Sequence, residues 1–176
     1  MVHLTPAMKK FVLHWGEMGD KWGVNRSVAQ IHALLYVAAR PLTAEEISET
    51  LSMARSNVST SIRELLEWEI VRTVQRVGER KDHFEAFGDP WETMDKVIEK
   101  RRQREIAPTI RLLAECIEEA KGNPKEDKQV AARLESLREL LVQGDALCGA
   151  MRRLPRESLG RLVKAGGRLK EMLLSK

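Results

Sequence analysis

Ser56, Asn57, Thr60 and Arg63 fall within one helix-prone stretch, roughly Ala54 to Trp68, whose apolar residues Val58, Ile62, Leu65 and Leu66 point the other way. A hydroxyl, a carboxamide and a guanidinium in that arrangement suit the edges of base pairs, because Asn pairs with adenine and Arg with guanine in the major groove. Arg55, in the first turn, suits a phosphate. A second basic feature follows at Ile70 to Lys81, where Arg72, Arg76, Arg80 and Lys81 face a single acid, Glu79. A loop tip of this kind, Gly78-Glu79-Arg80-Lys81, would lay Arg80 along the backbone or in a minor groove, with Glu79 working against the contact.

The elements that must position these groups are legible from period and punctuation. Pro6 opens a first helix carrying Met8, Phe11, Val12 and Trp15, which the glycines at 16, 19 and 23 are expected to interrupt. Ser27 is the expected N-cap of a second helix with Val28, Ile31, Leu34, Leu35 and Val37 inward, ended by Arg40-Pro41. Thr43 and Glu46 form a capping-box pattern for a short third helix bearing Ile47 and Leu51, and Ser52-Met53 turns into the fourth. The period then changes: Ile70–Val77 is strand-prone, Gly78 to Lys81 is a turn, and His83–Ala86 returns as a second strand. Helix, short turn, helix and basic hairpin is the order of a winged helix-turn-helix. Any small helical domain also has a polar face, and a basic hairpin can simply be solvated, so the pattern alone leaves both readings open.

Asp89-Pro90 with Glu92 opens a long helix, on which Trp91, Met94, Ile98, Ile106, Ile110, Leu113 and Ile117 recur up to Gly122-Asn123-Pro124, with a kink expected at Pro108. A following helix places Val130, Leu134, Leu137 and Leu141 on one stripe. A last one after Pro155 uses Leu159, Leu162, Val163, Leu169, Met172 and Leu173. The fold class expected is mainly α: a winged helix-turn-helix domain over residues 1–88, then a helical dimerisation and effector-sensing region over 89–176.

Charge sharpens the picture. The net charge is +4 over 176 residues, yet residues 1–88 carry 11 basic and 11 acidic side chains, so the basic patches there arise from separation of sign. The acids collect at 45–49 and 64–69. No catalytic residue, metal ligand or cofactor is expected: His3, His14, His32 and His83 lie in no metal-binding motif, and no phosphate-cradling glycine loop or nucleophile elbow is present. Cys116 and Cys148 read as free thiols, and Ser27 to Ala39 is too short to cross a bilayer, so a cytoplasmic protein is expected. Ala150 to Lys176, with 8 basic and 2 acidic residues beside an apolar stripe, supplies an alternative: a dimeric interaction or membrane-surface protein.

The run from Pro41-Leu42-Thr43-Ala44-Glu45-Glu46-Ile47 through ARSNVS to GERKDHFEA, followed by DPWE and KRRQREIAPTI, resembles the GbsR/MarR-type winged-helix transcriptional regulators over about residues 10 to 120. The resemblance implies a homodimer joined by its long C-terminal helices, with two recognition helices on successive major grooves of an inverted repeat in double-stranded DNA. It carries Arg55, Ser56, Asn57, Ser59 and Thr60 onto the start of the recognition helix, and Arg80 and Lys81 onto the wing; Arg63 and Arg76 join them from the residue pattern. This chain departs from many such sequences in having Ser52 where they have Gly and Ala54 where they have Ser. Some members sense quaternary ammonium compounds, which need an aromatic cage. Trp68 and Trp91, at the two ends of the hairpin segment, are the candidate pair for an effector site, set against the ordinary core packing that rings at helical spacing usually serve. Repression by occluding polymerase is the expected output.

Overall fold

The computed structural model describes residues 2–123 and 128–155, with residues 158 and 165. Two compact units divide the chain, Met1–Lys100 and Arg101–Lys176. The first extends past residue 88 because Val97 still packs on its core.

Helix α1 spans Pro6–Lys21, with Thr5 as N-cap and Pro6 in the first turn. Contrary to the expectation of an interrupted helix, it runs unbroken through Gly16 and Gly19, both of which are buried. Packing against α2 (Arg26–Val37) accounts for this. A Cβ on Gly16 would come within 2.5 Å of the Gln30 Cγ, and one on Gly19 within 2.4 Å of the Ala29 Cβ. The glycines let two backbones approach where any side chain would hold them apart, and that burial outweighs the roughly 1 kcal/mol per residue that Gly costs in a helix.

Asn25, rather than Ser27, caps α2: its Oδ1 accepts the Ser27 backbone N–H at 2.8 Å. From Val28 to Leu35 every residue of α2 is buried, so this helix is surrounded on all sides. A two-residue strand, β1 (Leu42–Thr43), leads into α3 (Ala44–Leu51), whose capping box between Thr43 and Glu46 is fully formed. Ser52 takes the left-handed conformation, φ 52°, as the C-cap of α3. Helix α4 (Arg55–Glu67) then starts from Ala54, which offers no side-chain cap.

Strands β2 (Val71–Val74) and β3 (His83–Ala86) complete an antiparallel sheet ordered β1-β3-β2, with Val74 opposite His83 and Leu42 opposite Phe84. β2 is shorter than the strand expected over Ile70–Val77. Once Val74 has met the first residue of β3, nothing is left to pair with Gln75, Arg76 and Val77, and they join the loop. The core beneath is built from Val12, Ile31, Leu34, Leu42, Ile47, Val58 and Leu65. His32 is buried within the same domain, its Nε2 has no hydrogen-bond partner, and burial pushes its pKa down from 6.5 to about 4.

Helix α5 (Pro90–Arg101) passes into a π-helical segment, Arg102–Ile106, and then α6 (Ala107–Gly122). The disturbance expected at Pro108 thus takes the form of a widened turn before it. A proline that lacks an N–H and crowds the carbonyl one turn back is accommodated by that extra residue. Helix α7 spans Lys128–Arg152. Its inward side uses Ala131, which is buried, with Leu134 and Leu141 half-buried, whereas Val130 and Leu137 of the expected stripe are exposed. The helix expected after Pro155 lies outside the described residues, as does most of the basic stretch Ala150 to Lys176.

Two outcomes test this packing. Gly19→Ala should lower the melting temperature by several degrees, since overpacking costs about 1–3 kcal/mol against the ~1 kcal/mol of helix propensity gained; an unchanged Tm would mean that α1 and α2 are not in close contact. The second concerns pH. In the unfolded chain His32 takes its proton near 6.5, in the folded chain only near 4, so the stability it permits above 6.5 is lost as pH falls between those values. Melting curves from pH 7 to 4 should fall less steeply for His32→Leu than for the parent, and parallel curves would refute the assignment.

Candidate nucleic-acid interface

Burial of Val58, Ser61, Ile62 and Leu65 fixes the rotation of α4. Ser56, Ser59, Thr60 and Arg63 are thereby turned outward and exposed, as a base-reading face requires. Asn57 is different. Its Nδ2 donates to the Ser27 Oγ at 2.9 Å, and its Oδ1 accepts from the Ser61 hydroxyl at 3.4 Å, so both ends of the carboxamide are engaged in joining α4 to the start of α2. Asn57 would have to give up these bonds to pair with adenine. Ser27, expected as a cap, serves instead as an acceptor for this recognition-helix residue.

Arg55 is held by the Glu45 carboxylate, and the other oxygen of the same carboxylate takes Lys81 Nζ at 2.5 Å. Lys81 accordingly holds Glu45 below the usual carboxylate range, and Glu45 raises Lys81 in turn. One acid on α3 therefore bridges the recognition helix and the hairpin, a contact between residues ten and thirty-six positions apart that no local sequence signal announces. Beside it, Glu46 belongs to the capping box: Arg40 hydrogen-bonds its carboxylate and, with the Thr43 backbone N–H, holds its pKa down to about 2.

Arg76, Val77, Gly78, Glu79 and Arg80 are exposed in the loop that joins β2 to β3, with Gly78 at φ 86° where a side chain is strained. The Glu79 carboxylate lies 3.0 Å from the His83 Nε2, drawn back toward the base of the hairpin. At the base, Arg72 and Glu85 are cross-strand partners joined at 2.6 Å, and the Arg72 guanidinium lies over the Phe87 ring at 5.7 Å.

Trp68 closes α4 as its C-cap and is half-buried on the core, while Trp91 sits exposed in the first turn of α5. Rings gather elsewhere in the domain, on α1 and α2. Phe11 and Trp15 lie 5.4 Å apart, Trp15 and Trp22 meet edge-on at 5.8 Å, and Tyr36 contacts both Phe11 and His32 at 6.5 Å. Cys116 is half-buried and Cys148 exposed, both as free thiols. Among the described residues no cluster of His, Cys, Asp or Glu could hold a metal ion, and no helix is long and apolar enough to cross a membrane.

Two helices joined by a short turn, a polar outward face on the second and an arginine-bearing antiparallel hairpin define a winged helix-turn-helix protein. The segment of residues 22–81 matches the family model described as MarR family. The relatives of the chain are helix-turn-helix transcriptional regulators of Bacillus subtilis. YvaV, assigned as an HTH-type transcriptional regulator, is 27% identical over 146 residues, 78% of this chain and 81% of its own. The transcriptional repressor OpcR is 24% identical over 140 residues, 72% of each chain. The transcriptional repressor GbsR is 25% identical over 100 residues, 57% of this chain and 55% of its own. A crystal structure of a transcriptional regulator shares the fold with a TM-score of 0.68 at 21% identity, over 90% of this chain and 99% of the other.

Proposed function

We propose that the protein is a dimeric, sequence-specific DNA-binding transcriptional regulator that represses from an inverted-repeat operator. The observation that carries this reading is the outward face of α4, where Ser56, Ser59, Thr60 and Arg63 stand exposed beside a hairpin bearing Arg76 and Arg80. α4 supplies the direct readout, with Arg63 as its guanine-reading candidate. Arg76, Arg80 and, once released from Glu45, Arg55 and Lys81 supply phosphate contacts. The half-sites would be about one helical turn, roughly 10 bp, apart. Repression is supported by the likeness to OpcR and GbsR, both transcriptional repressors.

Dimerisation is supported by α7. Val130, Leu137, Leu140, Leu147 and Met151 are exposed and follow steps of seven, three, seven and four, the spacing of a seam between two helices. Leu140 is 65% exposed and Leu147 60%, more apolar surface than a lone solvated helix gains by showing. The alternative of a membrane-surface protein rests on Ala150 to Lys176, for which the described residues supply no supporting observation.

Selection of genomic fragments by the purified protein, followed by titration at several salt concentrations, tests the reading. An inverted repeat bound well above random DNA is the expected result, and failure to prefer any sequence would sink it. On that fragment Arg63→Ala should cost about 1–3 kcal/mol and relax the sequence preference, while Arg80→Ala should weaken all sequences alike and reduce the salt slope by about 1. Leu140→Glu combined with Leu147→Glu should sediment as a folded monomer with operator affinity largely lost. A dimer of undiminished affinity would remove α7 from the interface.

A further inference from the structure

Glu45 lies between two of the elements that the reading above assigns to DNA. It is the second residue of α3, and its two carboxylate oxygens each hold one cation, Arg55 from the first turn of α4 and Lys81 from the foot of the hairpin. The two cations come from the two elements that would touch DNA, and one anion satisfies both. A carboxylate presenting two oxygens to two cationic donors imitates what a phosphodiester offers. All three side chains remain solvent-accessible, with Arg55 75% and Lys81 66% exposed, so the pairs exchange partners at little cost.

We infer that Glu45 is an affinity-limiting residue, an internal stand-in for phosphate that any duplex must displace before Arg55 and Lys81 can neutralise its backbone. This inference rests on the DNA-binding reading above. Sequence-independent binding is driven almost entirely by phosphate neutralisation and the counterions it releases. While Glu45 keeps both cations, a loosely held duplex gains from them only the difference between phosphate and carboxylate, and the Glu45 charge repels its backbone. On the cognate sequence, base contacts from α4 that Glu45 does not touch draw the helix into the groove, phosphates reach both cations, and the carboxylate is displaced. Binding to backbone alone is thereby kept weak, while the base contacts of α4 sustain binding to the operator.

The test compares the full-length parent with Glu45→Gln and Glu45→Asp on two duplexes, the selected operator fragment and a random sequence of equal length, each titrated over a range of salt. For Glu45→Gln, the random duplex should bind on the order of tenfold more tightly, with a salt slope steeper by about 1 to 2, because up to two further phosphates are neutralised. The operator should bind more tightly as well, because its complex no longer has to displace a carboxylate, with its slope unchanged. Glu45→Asp, which keeps the charge, should track the parent. Equal slope changes on both duplexes, no change on either, or weaker binding of both by a Glu45→Gln protein with parental Tm would each overturn the inference, the last by making Glu45 a strut. A parent that prefers neither duplex overturns the DNA-binding reading and this inference together, whereas a discriminating parent with an inert Glu45→Gln variant overturns this inference alone.

Discussion

The burial of α2 is the constraint from which the rest of the DNA-facing domain follows. A helix buried at every residue from Val28 to Leu35 must be covered on all sides by other elements. α1 covers one side, and can do so closely only because Gly16 and Gly19 present no side chain to Gln30 and Ala29. α4 covers another with Val58, Ile62 and Leu65, and the sheet closes the core with Leu42 and Phe84. The outward direction of Ser56, Thr60 and Arg63 is thus a consequence of what lies beneath them. A recognition face is the remainder left when an amphipathic helix satisfies its apolar side.

Polar contacts then remove the freedom that apolar packing leaves. A helix resting on aliphatic side chains can slide or rotate by a few degrees at small cost, but hydrogen bonds are directional. Asn57 pins α4 to Ser27 at the start of α2, and the Glu45 carboxylate ties α4 and the hairpin to α3. At the other end of α4, Glu69 adopts φ 58°, an uncommon conformation for a non-glycine residue, and its carboxylate meets Lys100 at 2.5 Å and Lys96 at 3.8 Å on α5. The turn after the recognition helix is therefore fastened to α5, the helix that leads out of the domain. Both ends of α4 are thus held by polar side chains from other elements.

Much of this was legible in the sequence wherever a local rule decides the structure. The Thr43–Glu46 capping box, the two faces of α4 and the return strand His83–Ala86 each depend on residues within one or two turns of each other, and each formed as read. Gly16 and Gly19 were misread because a glycine that breaks a solitary helix and a glycine that admits a neighbouring backbone look identical along the chain. Asn25 and Ser27 are both good caps two residues apart, and which one caps depends on Ser27 being wanted elsewhere, by Asn57 thirty residues on. β1 is two residues long and exists because β3 needs a partner on its free edge. On α7, apolar residues on several sides permit more than one stripe, and only the fold shows that Ala131 and Leu134 go inward while Leu137 and Leu140 do not.

The zero net charge of residues 1–88 at first sight argues against a polyanion as partner. The distribution of pairs reverses that conclusion. Four cations of the domain are balanced by acids they touch: Arg40 by Glu46, Arg55 and Lys81 by Glu45, Arg72 by Glu85. The exposed Arg63, Arg76 and Arg80 sit on the outward helix face and the hairpin loop, while the acids are spent on neighbours. Within a Debye length of about 8 Å at physiological salt, an approaching duplex meets the local excess of positive charge and not the sum over the chain. A domain neutral overall attracts nucleic acid weakly from a distance and strongly only at one face. Acids that pair with cations on that face, rather than elsewhere, adjust how strongly it binds backbone alone, which is the quantity a regulator must keep small if sequence is to decide where it rests.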